Sequence, residues 1–217
     1  MTKIKICCIA NIEEAELAIK YGADAIGLVS AMPSGPGVID FKTITEISNV
    51  VTGRIDAFLL TSKRTTTEII AQLRSCKTST VQICDSLTSA SHLDIKKELP
   101  NVKIVQVIHV FDDSSVNEAI EAAKTADALL LDSGNQKLAV KELGGTGRTH
   151  NWEFSRHIVK GVKIPVYLAG GLNPANVKEA IKTVHPFGVD ICSGLRTDGN
   201  LDEAKLSEDV KLVKACS

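Results

Sequence analysis

The 217-residue sequence predicts an α/β protein folded as a single closed (β/α)₈ barrel of the TIM type, spanning residues 1–217. Three observations point there. Short apolar, β-branched runs recur eight times and are mostly apolar on consecutive positions, the pattern of parallel strands buried on both faces. Amphipathic helical patterns lie between them. No Gly-x-Gly-x-x-Gly follows the first run, which favours a closed barrel over an open doubly wound sheet. The chain is near the lower end of length for such a barrel, so its loops must be short. No low-complexity linker divides it.

The first strand is Lys3–Cys7, followed by a helical pattern over Ile12–Lys20. Ala25–Val29 is the second strand. After it, Thr43 and Glu46 have capping-box spacing ahead of the apolar stripe Ile44, Ile47 and Val51. Ile55–Leu60 and Thr67–Leu73 form the third pair. The fourth is Thr80–Cys84 with a weaker helical pattern over Ser91–Leu99. Lys103–Ile108 is the fifth strand; Ser115 and Glu118 then have capping-box spacing, and Val116, Ala119, Ile120 and Ala123 share one helical face. Ala128–Leu131 is the sixth strand and precedes the longest loop. Pro165–Ala169 is the seventh. Asn173 is a natural N-cap and Pro174 suits a first helical position, ahead of Val177, Ala180, Ile181 and Val184 on one face. Val189–Cys192 is the eighth strand, with a helical pattern over Ala204–Val213. Gly22-Ala-Asp-Ala-Ile-Gly-Leu and Thr125-Ala-Asp-Ala-Leu-Leu-Leu echo one another, a weak sign of repeated units.

Composition narrows the function. Hydrophobic residues make up 44% and charged residues 24%, with 25 basic against 26 acidic side chains and a formal net charge of −1. That excludes a disordered chain. It also leaves no bulk charge to attract nucleic acid or an anionic membrane. No apolar run approaches the roughly 20 residues that span a bilayer. Met1-Thr-Lys-Ile-Lys-Ile-Cys enters a strand directly, without a secretory signal. The six cysteines are therefore expected as reduced thiols of a cytoplasmic protein.

Barrels of this kind build their active sites from the C-terminal strand ends and the loops that follow. Cys7 and Cys8 end the first strand. Ser30 to Gly37 form the next loop. Thr61, Cys84-Asp85 and His109 end strands three to five. Asp132, Ser133 and Gly134 follow strand six, then the long loop with Gly144-Gly-Thr-Gly-Arg148. Ala169-Gly-Gly-Leu172 and Cys192-Ser-Gly-Leu195 end the last two strands. Glycines let backbone N–H groups approach an anion closely, and the last two loops of such barrels often hold phosphate. Gly170, Gly171, Ser193 and Gly194 are therefore the candidate phosphate cradle; a plain tight turn before the helix is the structural alternative. The Gly144–Arg148 run is not a Walker loop, because no Lys-Ser or Lys-Thr follows at the required spacing. It is a lid over the site or a plain connection. Cys7 and Asp132 are the candidate base and acid. A thiol serves as a base only if its pKa falls, and an aspartate as an acid near neutrality only if its pKa rises. A buried apolar cysteine and a turn aspartate are the structural alternatives, and His109 can equally be a polar strand end.

These motifs resemble the phosphoribosylanthranilate isomerase family almost end to end. Lys5-Ile-Cys-Cys-Ile-Ala-Asn11 resembles its opening Lys-Ile-Cys-Gly-Ile-Thr-Asn. Gly22-Ala-Asp-Ala-Ile-Gly, Val81-Gln82 and Leu131-Asp-Ser follow in family order. So do Gly144-Gly-Thr-Gly-Arg-Thr-His-Asn-Trp152, Leu168-Ala-Gly-Gly-Leu-Asn-Pro174 and Gly188-Val-Asp-Ile-Cys-Ser-Gly194. The resemblance implies a barrel without metal or organic cofactor that carries out an Amadori rearrangement in tryptophan biosynthesis. It implies Cys7 as general base, Asp132 as general acid, the glycine loops as 5-phosphate site, and a small phosphosugar as the partner of a monomer or homodimer. Gly145 and Arg148 fall in the substrate loop.

Three departures concern the substrate end. Cys8 stands where the family usually has Gly. Gly37 stands near the family's arginine for the anthranilate carboxylate, with no basic residue between Lys20 and Lys42. Ile83-Cys84-Asp85 replaces Leu-His-Gly. Arg148 is then the candidate replacement cation, and Gly37→Arg is expected to tighten binding. A related isomerase for a different phosphosugar and a non-catalytic phosphosugar-binding relative are the alternatives.

Overall fold

Side chains along a strand alternate between two faces, so each strand of a closed parallel sheet sends one row into the barrel and the other toward the helices. The computed structural model describes residues 1–88 and 91–216. Its strands are β1 (Lys3–Ile6), β2 (Ala25–Val29), β3 (Asp56–Thr61), β4 (Thr80–Ile83), β5 (Lys103–His109), β6 (Ala128–Asp132), β7 (Val166–Leu168) and β8 (Gly188–Ile191). They pair in chain order, all parallel, and β8 closes on β1. Each lies within one residue, at either end, of the run expected from the sequence.

The helices α1 (Ile12–Tyr21), α2 (Phe41–Val51), α3 (Thr66–Cys76), α4 (His92–Glu98), α5 (Ser114–Ala122), α6 (Trp152–Gly161), α7 (Val177–Val184) and α8 (Glu203–Lys214) surround the strands. A short antiparallel pair, β9 (Arg196–Thr197) and β10 (Asn200–Leu201), precedes α8. The outward rows, among them Ile4, Ile26, Leu59, Ile104, Leu131 and Val189, pack beneath the helices. The inward rows, among them Val29, Phe58, Leu60, Val107, Leu130 and Tyr167, fill the barrel. Among the described residues no helix is long and apolar enough to cross a membrane.

Helix starts depart from expectation because capping depends on where the first turn closes. Asp40, not Thr43, caps α2; its carboxylate accepts from the Thr43 amide at 2.7 Å. Ser115 lies inside the first turn of α5, where its hydroxyl accepts from the Phe111 amide at 3.0 Å. Asn173 opens a turn ahead of α7 by accepting from the Ala175 amide at 2.9 Å, and Asn176 is the cap residue of the helix proper. Helix α6 had no sequence expectation of its own; along it Ser155 and Ile158 are fully buried, and Trp152, Phe154 and Val159 pack partly buried against the core.

Register brings distant residues together. Lys5 pairs with Asp190 across β1 and β8, and His109 with Asp132 across β5 and β6. Lys5, Cys7, Asp132 and Asp190 have the parity of the inward rows.

Candidate active site

Lys5 is fully buried, and its ammonium donates to Asp190 Oδ1 at 2.8 Å. Burial pushes its pKa down, but the charges of Asp190 and Cys7 and the Asp190 hydrogen bond outweigh burial, so it stays protonated well above its ordinary value. Breaking a buried pair of this kind typically costs about 3–5 kcal/mol. Cys7, two residues on, lies one layer nearer the barrel mouth and is buried. Gly27 makes room for both: a Cβ there would sit 2.9 Å from Cys7 Sγ and 3.0 Å from Lys5 Nζ.

Asp132 ends β6 at the same mouth and is buried. Its Oδ1 accepts from the Ser133 amide at 2.7 Å. Among the described residues no hydrogen bond reaches Oδ2, which lies beneath Gly144, where a Cβ would be 2.8 Å away. Cys7, Asp132, Gly145, Gly170, Gly171 and Ser193 all line one cavity. Two loops meet over it. Ser34 Oγ donates to the Lys141 carbonyl at 2.6 Å, and a Cβ on Gly145 would lie 2.4 Å from Pro36 Cδ. The Gly144–Arg148 run therefore covers the site.

The glycine loops fit an anion. Among the described residues, no hydrogen bond engages the amides of Gly170, Gly171, Ser193 and Gly194. Backbone N–H groups normally find partners, so a set left free at a cavity is suited to phosphate oxygens. Gly171 has φ +62°, and a Cβ there would strike the Arg148 carbonyl carbon at 2.6 Å, so the long loop packs directly on it. Gly194 is outside the cavity lining. It lets the last two loops touch, since a Cβ would fall 2.1 Å from the Leu172 oxygen.

Two expectations about the substrate carboxylate need correction. Arg148 does not line the cavity; its guanidinium turns outward to Glu142, and 61% of its side chain is exposed. Gly37 has no space for an arginine: it has φ +78°, and a Cβ would sit 2.5 Å from Cys8 Cβ. Cys8 itself has φ +63°, a conformation that favours glycine. Among the described residues no Lys or Arg lines the cavity. His109 also stands apart; its Nε2 meets the Cys84 carbonyl at 3.0 Å, and it lines a separate surface pocket. Asp85 is engaged by Lys141 at 2.6 Å.

The sequence reading missed Lys5 and Asp190 as functional residues, along with Gln82, Pro36 and Cys192 on the cavity wall. Strand parity was the available signal for Lys5 and Asp190, since both share the inward rows with Cys7 and Asp132. Among the described residues no group of three or more His, Cys, Asp or Glu is placed to hold a metal ion.

The sequence profile described as N-(5'phosphoribosyl)anthranilate (PRA) isomerase matches residues 4–212. The chain belongs to the phosphoribosylanthranilate isomerase family. It is 36% identical over 214 residues to N-(5'-phosphoribosyl)anthranilate isomerase 2 of Methanosarcina mazei, covering 98% of this chain and 94% of that one. It is 33% identical to the Methanocella arvoryzae N-(5'-phosphoribosyl)anthranilate isomerase, over 99% and 95% of the two chains. The solved structure of N-(5'-phosphoribosyl)anthranilate isomerase from Pyrococcus furiosus superposes with a TM-score of 0.79 at 27% identity, over 99% and 100% of the chains. The left-handed Cys8 puts its side chain in the space facing Gly37.

Proposed function

We propose that this chain, read as one barrel domain, converts N-(5'-phosphoribosyl)anthranilate into 1-(2-carboxyphenylamino)-1-deoxyribulose 5-phosphate. One observation carries the reading. Cys7 at the end of β1 and Asp132 from β6 line the same cavity, beside glycine loops whose amides have no partner among the described residues. The rearrangement is a redox-neutral transfer of protons, which one acid and one base can run. Protonated Asp132 gives its proton to the furanose ring oxygen, and the ring opens to a Schiff base. Cys7, as thiolate, removes the proton from C2. The resulting enolamine tautomerises to the ketone. Asp132 Oδ2 suits the acid role because it faces the cavity beneath Gly144 without a protein partner. Lys5, held by Asp190, is the fixed positive charge one layer beneath the Cys7 sulfur. The free amides of Gly170, Gly171 and Ser193 take the 5-phosphate, and Gly194 packs the two loops together.

The test is fluorescence-monitored turnover of freshly made phosphoribosylanthranilate. Cys7→Ser and Asp132→Asn are each expected to lower kcat by about 10²–10⁴-fold, the usual contribution of an acid or base. Near-normal turnover in either folded variant removes that residue from the mechanism. The absence of a Lys or Arg from the cavity lining favours a second reading, a phosphosugar substrate without the aromatic carboxylate. No turnover by the folded wild type would select it.

A further inference from the structure

Two cavity residues have no part in the proton transfers. The thiols of Cys8 and Cys192 are in contact, with sulfurs 2.7 Å apart. They come from the mouths of β1 and β8, 184 residues apart in sequence, and both line the cavity that holds Cys7 and Asp132. A molecule small enough to enter the cavity therefore meets them. Cys8 is held there in a backbone conformation that side chains rarely adopt, φ +63°. Its carbonyl accepts from Arg196, which also pairs with Glu14, and its thiol donates to the Pro36 carbonyl at 3.7 Å. Gly37 leaves space for the side chain. Strained residues persist where their surroundings enforce them, and they concentrate at functional sites.

We propose that Cys8 and Cys192 are a redox-active dithiol, which a small-molecule disulfide converts into an intramolecular disulfide in the cavity wall. This rests on the placement of the two sulfurs and not on the isomerase reading. The two sulfurs already face one another in direct contact, the arrangement a disulfide of roughly 2.05 Å requires. Cys192 is the attacking sulfur. It is the more exposed of the two sulfurs, whereas Cys8 is buried; its hydrogen bond with Cys8 and the charges of Arg196 and Lys5 lower its pKa, against burial and the charge of Asp190. Cys8 is pushed up by that hydrogen bond, by one with Cys7 and by burial.

In the first step the Cys192 thiolate attacks one sulfur of the small disulfide, forming a mixed disulfide and releasing one thiolate. In the second, the Cys8 sulfur attacks the Cys192 sulfur, the mixed bond breaks, and the second small thiolate leaves. Two protein thiols are oxidised, one small disulfide is reduced to two thiols, and the two protein protons pass to the released thiolates.

The experiment titrates the protein with mixtures of bis(2-hydroxyethyl) disulfide and 2-mercaptoethanol. Samples are quenched in acid, their thiols are alkylated, and mass and linked peptides are read. The expected oxidised form keeps four of its six thiols, is lighter by two hydrogen atoms, links the Cys8 and Cys192 peptides, and is restored by dithiothreitol. Cys7→Ser should still lose two thiols. Cys8→Gly and Cys192→Ser should form no internal disulfide. Six thiols at every ratio, a link that includes Cys7, or a mixed disulfide on Cys192 that never resolves would each overturn the proposal.

Discussion

Arginine at position 37 is expected to be tolerated only when Cys8 is removed. Gly37 has φ +78°, where a side chain costs about 1–2 kcal/mol. Its new Cβ would also sit 2.5 Å from Cys8 Cβ, an overlap that costs about 1–3 kcal/mol. Gly37→Arg alone should therefore destabilise the fold by roughly 2–5 kcal/mol. Cys8→Gly removes the overlap with its side chain but leaves its Cα 3.0 Å away and the backbone cost in place, so the double variant should recover part of about 1–3 kcal/mol relative to additivity. Position 37 follows Pro36 on the cavity wall, so in that background the guanidinium is expected to pair with the carboxylate of phosphoribosylanthranilate. A charge-assisted hydrogen bond contributes about 1.5–3 kcal/mol, or about 10–150-fold in KM. Urea unfolding of the four proteins measures the coupling, and steady-state turnover measures KM. Stability changes that add within about 0.5 kcal/mol would refute the steric argument. A stable double variant with unchanged KM would refute the account of the carboxylate.

Other expectations follow from single features. Asp209 on α8 is fully buried, neither carboxylate oxygen has a hydrogen-bond partner among the described residues, and burial, with a smaller push from Glu208, raises its pKa from 3.8 to about 7. The folded state holds this proton more tightly than the unfolded chain, so stability present at low pH is lost as pH rises through that interval, by roughly 2.5 kcal/mol between pH 5 and 8. Asp209→Asn should lack that slope in urea unfolding at the two pH values; equal slopes would reject the assignment. The Arg148 side chain forms an exposed pair with Glu142, worth about 0–1 kcal/mol. Arg148→Ala should leave KM within about twofold, and a tenfold rise would place its side chain on the substrate. A crystal soaked in sulfate should show an anion on the amides of Gly170, Gly171 and Ser193; an empty cradle with sulfate bound elsewhere would count against the phosphate site.

The legible part of this protein was the part carried by short-range pattern. Consecutive apolar positions marked all eight strands because a parallel barrel buries both faces of each. Strand ends located Cys7 and Asp132 because the mouth of a barrel is a fixed place in each repeat. Helix starts were less legible: Asp40 and Thr43 both carry capping side chains, and the choice depends on which turn the loop lets close.

The eight strands and the two residues proposed for proton transfer could be read from residue order, because period and propensity are local properties of the chain. The contacts that shape the cavity could not. Lys5 meets Asp190 across 185 positions, Cys8 meets Cys192 across 184, and Gly37 is pressed onto Cys8 by a loop folding back over β1. These depend on closure of β8 against β1 and on the register of that seam, which sets which side chains share a layer and which loops collide. No local pattern encodes that register; it comes from packing the whole ring of strands at once.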